Sequence, residues 1–452
     1  MPVMTLPTAR RATRVSMPLL GAFVIGAIAY GGLYTFPAMS VAFASDFGVT
    51  RALAVTPWTM FLVVTALSSP LLGRAYDEWA DRDLMTAAMV LIAGGWLAVY
   101  LAPDITIVIV AYAALHAPGL QLAFIGTSTA IARRYAGASG TALGITYAGP
   151  GIGVAVALPL AAGIIATSGW RATALVFLAA CLVGVAFVWL MTSGPPIVIP
   201  RPVLPGPAGG APALSGIRAT EAAQAAQASG LHETAAPGAV SAGFEPLPVG
   251  SQDRPRSVRR TIRTRRFWWL FLGALAIGAF DEGVLQAFLP NAVHLGMREG
   301  VAATALGLQS LAYVFGQLVG GWLSDRLGRH LVGVAAAVVV VGGAVAALAL
   351  AGISPTLAVA GIILHGVGTG ATIAVRSAAF HDVFGGASFG TIFGLLSVAY
   401  PIGGAIAVYV GAFGADRVGS YLVIVPLVLL AVGAWVAALW VAGPSRRRER
   451  PA

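Results

Sequence analysis

The chain has 452 residues, 58% of them hydrophobic and 10% charged, with a mean hydropathy of +0.86. Ordinary soluble domains are about 25% charged, so this composition excludes a soluble fold and places the chain in a membrane. The net charge of +10 rests on 27 basic residues, all arginine. Without lysine there is no ammonium or Schiff-base chemistry, and with Cys181 alone there is no disulfide or cysteine metal site within one chain.

Taken in order, the apolar stretches near 17–43, 52–73, 84–102, 105–132, 139–167 and 170–191 are each close to the ~20 residues that a spanning helix needs. A second set lies near 267–290, 302–324, 330–352, 355–380, 389–414 and 418–442. Arg10 to Arg14, an apolar run and Ala42-Phe43-Ala44 imitate a signal peptide. The apolar run is too long for one and eleven spans follow, so an uncleaved first helix is expected. Glycine is frequent, with 57 in the chain, as expected where helices approach closely.

The arginines set an expected orientation. Twenty-two fall on one side, including Arg10, Arg74, Arg133, Arg326, Arg329 and the tail from Arg446, whereas Arg51, Arg171, Arg298 and Arg417 fall on the other. Positive loops face the cytoplasm, which puts both termini there. Residues 192–266 are rich in Pro, Ala, Gly and Ser and divide the chain. We expect a cytoplasmic, mostly disordered loop, with a short surface helix at Glu221 and a basic end from Arg254 to Arg266. That end reads as a topology anchor at anionic headgroups, or as an amphipathic lipid-binding helix. No recognition fold for nucleic acid accompanies it. The expected domains are 1–191, a six-helix bundle; 192–266, the loop; and 267–452, a second bundle with a basic tail.

Two repeats support the halves. Gly73-x-x-x-Asp77 recurs 248 residues later as Gly321-x-x-x-Asp325, continuing Arg326-Leu327-Gly328-Arg329-His330. His116-Ala117-Pro118-Gly119 is answered by His365-Gly366-Val367-Gly368 at an offset of 249. Two stacks of spanning helices with such repeats suggest a transporter with its site between them.

The six-plus-six arrangement and the Gly321–His330 motif resemble the major facilitator superfamily across nearly the whole chain. Arg133-Arg134-Tyr135, Ala142-Leu143-Gly144, Gly149-Pro150-Gly151-Ile152-Gly153, Pro159 and Gly169-Trp170-Arg171 are similar to the fifth-helix pattern of its monocarboxylate and oxalate/formate-type branch. Phe389-Gly390 to Gly394 and Gly419-Ser420-Tyr421 resemble the marks around its eleventh helix. The resemblance implies an all-α polytopic protein of twelve transmembrane helices in two pseudo-symmetric bundles, expected as a monomer in a bacterial inner membrane. It further implies that Asp325 meets the start of the fifth helix near Ser139-Gly140 and that Asp77 meets the start of the eleventh near Ser388. Gly73, Asp77, Gly321, Asp325, Arg326, Gly328 and Arg329 are therefore assigned to gating, with helix capping as the plainer reading. The first copy departs from the pattern, with Glu78 and Ala80 where Arg and Gly are usual.

Cargo must be read from polar groups inside spans, which are costly in lipid. Asp281 and Glu282 lie mid-way along the seventh span; adjacent residues point about 100° apart on a helix, so both are not expected to face one spot. A carboxyl buried among apolar groups can hold a proton at neutral pH, the chemistry of proton symport; alternatively the pair only ties to a neighbouring helix or lies at the outer mouth. Arg376 in the tenth span offers a planar fork for a carboxylate, or snorkels, or pairs with Asp382. The resemblance favours anion binding by role, although the branch's usual basic positions, in the eighth or eleventh helix, are unfilled here. His116 and His365 are expected either to face a cavity or to be packed against backbone carbonyls. Tyr30, Tyr34, Gln121, Tyr147, Gln286, Gln309, Tyr313 and Tyr400 are lesser lining candidates, more often packing than contact. No metal-ligand spacing, cofactor motif, P-loop or nucleophile–base pair is present, so no enzyme activity, metal or cofactor is expected. The reading is a secondary transporter of a small organic anion, a monocarboxylate by resemblance, coupled to protons. Efflux of an apolar or cationic compound is the alternative, and a membrane sensor a second one.

Overall fold

The computed structural model describes residues 9–78, 80–134, 139–192, 258–384 and 389–442, and every regular element among them is helical. The first span is two helices, α1 (Ala9–Leu33) and α2 (Phe36–Asp46). It breaks at Tyr34-Thr35 because Pro37 has no N–H to offer the Leu33 carbonyl. The Thr35 hydroxyl donates to the Gly32 carbonyl there at 2.6 Å. Next come α3 (Arg51–Glu78) and α4 (Asp81–Leu101). The fourth span is α5 (Ile105–Val110), a π-helical turn over Ala111–His116 and α6 (Ala117–Arg134). Asp104 caps α5, accepting from the amides of Thr106 and Ile107.

One long helix, α7 (Ser139–Thr192), carries both the fifth and sixth spans, separated only at Gly169 with φ 79°. That left-handed backbone is open to glycine and not to ordinary residues, and it lets the chain turn back without a loop. The short α8 (Val258–Thr261) leads into α9 (Arg265–His294), followed by α10 (Glu299–Leu327), α11 (Arg329–Ala349) and α12 (Pro355–Phe384). The eleventh span is α13 (Phe389–Ser397) and α14 (Ala399–Val418), broken at Val398, where Pro401, three residues further on, has no N–H to offer the Ser397 carbonyl. A short turn at Tyr421–Val423 opens α15 (Ile424–Ala442). The twelve expected spans are thus matched by helices whose ends mostly fall within a few residues of the expected ones. Most of the central loop, including Glu221, Arg254 and Arg256, lies outside the described residues, as do the side chains of Gly73 and Asp77. At its described end, Arg259, Arg260, Arg263, Arg265 and Arg266 are exposed.

Packing follows small residues. A Cβ on Gly149 or Gly153 of α7 would run into the backbone of Phe23 or Ala27 of α1, and one on Gly403 of α14 would run into the Leu275 carbonyl of α9. Gly149-x-Gly151-x-Gly153 is therefore a helix-packing device, as its place inside a span suggested. The core of the first half takes in Ala405, Val408 and Ala412 from α14, and the core of the second takes in Ala38, Leu158 and Ala162 from α2 and α7. The halves are interlocked, not merely adjacent. Large apolar side chains such as Leu71, Leu318, Val338 and Leu430 point outward, more than 60% exposed, as a lipid solvent allows. Trp268, expected as an interface anchor, is exposed near the start of α9.

Glycine packing gives a direct test. Gly153→Leu forces α1 and α7 apart and should cost about 1–3 kcal/mol, the usual penalty for overpacking. Gly94→Ala, at a position where a Cβ meets nothing within 4 Å, should be neutral or stabilising by about 0.5–1 kcal/mol. Thermal unfolding in detergent should show a lowered transition for the first and not the second.

Candidate functional site

Side chains of α2's leading turn, α3, α9, α12 and α14 converge midway along the helices. Asp281 and Glu282 are 4% and 1% exposed, so their oxygens must find protein donors in place of water. Glu282 finds them across the two halves. Tyr34, at the break in the first span, donates its hydroxyl to Oε1 at 3.2 Å, and the Trp58 indole N–H of α3 donates to Oε2 at 3.0 Å. Gln286, one turn along α9, approaches Oε2 at 3.5 Å. Asp281 takes the Tyr400 hydroxyl on Oδ2 at 2.6 Å, and the same hydroxyl lies 3.5 Å from Glu282 Oε1. The single Tyr400 proton belongs to the shorter contact. The adjacent carboxylates, about 100° apart on the helix, meet the Tyr400 hydroxyl unequally, at 2.6 Å for Asp281 and 3.5 Å for Glu282.

Arg376 of α12 completes the cluster. Its guanidinium carbon lies 5.4 Å from the centre of the Tyr400 ring and 6.0 Å from that of Phe380, within reach of a cation–π attraction. Its Nε is buried without a hydrogen-bond partner. The alternative pairing with Asp382 is not made: Asp382 Oδ2 accepts instead from Arg329 Nε at 3.1 Å. Asp281, Tyr313 and Tyr400 are the groups that act electrostatically on Arg376. Tyr313 itself accepts from Gln317 at 3.2 Å.

The paired histidines lie elsewhere. His116 is fully buried in the π-helical turn, its ring 4.9 Å from Trp96 and 4.6 Å from Tyr112, and it fills the space left by Gly95. His365, also fully buried, packs on Gly343 and places Nε2 3.3 Å from the Phe280 carbonyl. Each histidine sits among residues of its own half, in line with the packed alternative of the two, and the repeat in sequence is a repeat of helix packing. Among the lesser candidates, Tyr30 stacks on Tyr34 at 5.7 Å and Tyr147 on Phe124 at 5.8 Å. Tyr30 and Tyr147 share a narrow crevice of about 10 Å³, about the room one water needs. Gln309 is buried with its backbone against Gly366, and Gln121 is half-buried on α6. Gln286 joins the Glu282 cluster directly.

Sequence reading missed Trp58. No local signal marks it: an indole N–H is a donor only, but the buried indoles of Trp96 and Trp435 have no acceptor, so an indole inside a span does not by itself announce one. Among the described residues, the motif side chains form a local network. Arg329 pairs with Asp325 at 2.5 Å and with Asp382, tying α10 and α11 to α12, while Arg326 lies over Trp322 at 4.0 Å. Gly321 only reaches ordinary contact with Ala374 at 3.7 Å; the tight approach belongs to its neighbour Gly320, against Ala371. Gly328 takes φ 91°, ending α10 so that Arg329 can fold back. The expected partners of Asp325 near Ser139-Gly140 have side chains outside the described residues.

The sequence profile of the Major Facilitator Superfamily matches residues 19–281 and again 271–452. No curated protein sequence matches the chain. Among solved structures, the fold is similar to that of a bacterial homologue of the human lysosomal transporter Spinster, in an inward-facing and occupied conformation, with a TM-score of 0.69. The likeness covers 98% of this chain and all of that one at 13% identity, which speaks for the fold alone. Broken helices around buried polar groups, interlocked halves and a profile match along nearly the whole length lead to one conclusion: the chain belongs to the Major Facilitator Superfamily and is a membrane transporter, not an enzyme.

Proposed function

We propose that the protein moves a small organic anion, a monocarboxylate by the resemblance of its fifth and eleventh spans, with protons as the coupling ion. The observation that carries this reading is Arg376: its Nε is buried with no hydrogen-bond partner and the nearby Asp382 is committed to Arg329. A half-buried guanidinium with an unpartnered Nε and no bonded counter-ion among the described residues is a ready anion site, and a substrate offering a planar carboxylate supplies the missing acceptor.

Charge counting ties the proton to the anion. With Asp281 and Glu282 both ionised, the cluster with Arg376 carries one net negative charge; with one protonated it is neutral; with both, it carries one positive charge. Proton loading thus turns an anion-repelling site into an anion-attracting one, with no other device needed. Glu282 is the better candidate for the step that also moves the halves, because its acceptor oxygens hold Tyr34 and Trp58 of the first half. Trp58 can only donate, so a proton on Glu282 removes the negative charge that its indole N–H bonds to and weakens that contact. The arginine distribution supports a placement with both termini in the cytoplasm, and the exposed Arg259–Arg266 stretch supports contact with anionic headgroups there. The lysine-free composition fits a bacterial inner membrane carrier from a GC-rich genome.

A second reading is favoured by one feature: Tyr34, Trp58 and Tyr400 surround the two carboxylates. An acidic site lined by aromatic rings also suits an organic cation, which would make the protein an exporter exchanging protons for cations.

Uptake of radiolabelled carboxylates into proteoliposomes separates these readings. For the anion carrier, Arg376→Ala should weaken apparent affinity roughly ten- to hundred-fold, from about 1.5–3 kcal/mol for a charged hydrogen-bonded contact. Unaltered carboxylate transport in that variant would remove Arg376 from the site, and transport of cations alone would favour the second reading. Glu282→Gln and Asp281→Asn address coupling: at least one should keep substrate exchange while losing accumulation driven by a pH gradient. Gradient-independent transport by the unmodified protein would rule proton coupling out.

A further inference from the structure

Among the described residues, polar contacts between the halves occur at two levels, the Glu282 cluster and the end of the helices that carries Arg51. The second level is a reciprocal pair of helix caps. The first amides of a helix have no partner within it. At the start of α3 the Arg51 amide donates to Asp416 Oδ1 at 3.0 Å and the Ala52 amide to Asp416 Oδ2 at 2.8 Å. The Leu53 amide is taken by the Thr50 hydroxyl at 3.2 Å. Two of three leading amides are thus satisfied by a carboxylate 364 or more residues away in sequence. In return, the Arg51 guanidinium donates to the Ala415 carbonyl, near the end of α14, at 3.2 Å. It also lies 3.3 Å from His294 Nδ1 of α9 and 5.3 Å from the centre of the Tyr421 ring.

The arrangement follows from antiparallel dipoles. Helix α3 begins where α14 ends, so a positive N-terminus meets a negative C-terminus, and each brings a side chain of the sign the other favours. Beneath the pair lies a cavity of about 190 Å³ lined by Ala54, Val55, Pro290, His294 and Tyr421, among others, at the seam of the halves. Asp416 is exposed, so its bonds can be exchanged for water at little cost. A contact that is geometrically specific yet cheap to break is suited to a reversible closure. By contrast Asp46, at the same end, accepts from Trp170 and Arg171 at 2.9 and 3.1 Å, all within the first half.

We infer that Asp416 is a positioning residue for the transport cycle: by capping α3 it holds the two halves together at the Arg51 end, and release of that cap opens the seam there. Substrate chemistry plays no part in the argument, so it stands or falls separately from the reading of Arg376.

The test uses the cavity wall as a reporter. Ala54 is 1% exposed, and the native Cys181 is buried, so a thiol at 54 in an Ala54→Cys protein in nanodiscs reports opening of the seam through its rate of maleimide labelling. Asp416→Ala should raise that rate on the order of ten-fold, the scale of a carboxylate at a helix start. Asp416→Asn, which keeps acceptor oxygen and shape but not charge, should fall between. Asp46→Ala, which loosens the same end within one half, should leave the rate unchanged. Should Asp416→Ala fail to fold, the Asn variant and Arg51→Gln carry the test, since both should also speed labelling. Equal labelling in Asp416→Asn, Arg51→Gln and the unmodified background overturns the proposal, as does a rise in Asp46→Ala matching that in Asp416→Ala.

Discussion

The rest of the site depends on keeping one carboxylate away from water. Glu282 is almost fully enclosed, and an ionised carboxylate there is tolerable only with donors on its oxygens. The chain meets that need with groups drawn from distant parts of the sequence: a tyrosine from the first span, an indole from the second, an amide from its own helix. A charge that requires partners from both halves makes the relative position of the halves part of its own solvation. Anything that changes the charge then changes how strongly the halves are held.

Proline makes this geometry possible. Tyr34 and Tyr400 are both aimed at the carboxylates, and both stand beside a helix break set by a proline a few residues further on, Pro37 or Pro401. A continuous helix would fix each tyrosine by its 100° step alone. Breaking it frees the direction of one side chain while small residues, Gly153 against α1 and Gly403 against α9, keep the flanking segments in close contact. Loosening and tightening occur within a few turns of each other, which is how a membrane protein can have irregular backbone at mid-depth without exposing it to lipid.

The spans were legible because hydropathy is a local property, and the helix ends follow it closely from Arg51 to Ala442. The fifth and sixth spans were read apart although their helix is nearly continuous, since Gly169 marks the turn in the sequence itself. The carboxylates and Arg376 were legible because a charge inside an apolar run stands out. What was not legible was pairing. Nothing near Trp58 announces an acceptor 224 residues away, and Asp416 beside Arg417 reads as ordinary loop charge. The histidines show the converse. Their repeat was real, but duplication preserves packing as readily as chemistry: the His116 imidazole fills the space opposite Gly95, and the His365 backbone packs against Gly343.

Placing the two cross-half contacts on one axis gives the cycle a physical logic. Asp416 closes the seam at one end through exposed bonds that water can replace. Glu282 closes it midway through enclosed bonds that only a proton or a substrate can replace. The end contact holds the seam through bonds that water can replace, so it opens at lower cost than the centre. The central contact is strong but conditional on charge. If the two act in series, protonation at the centre removes the stronger constraint and leaves the end cap to thermal opening, so the order of events is set by which bonds are shielded from water. On the proposed reading as an anion carrier, the cargo then enters a site whose net charge has already been changed in its favour, and coupling follows from electrostatics without any dedicated relay.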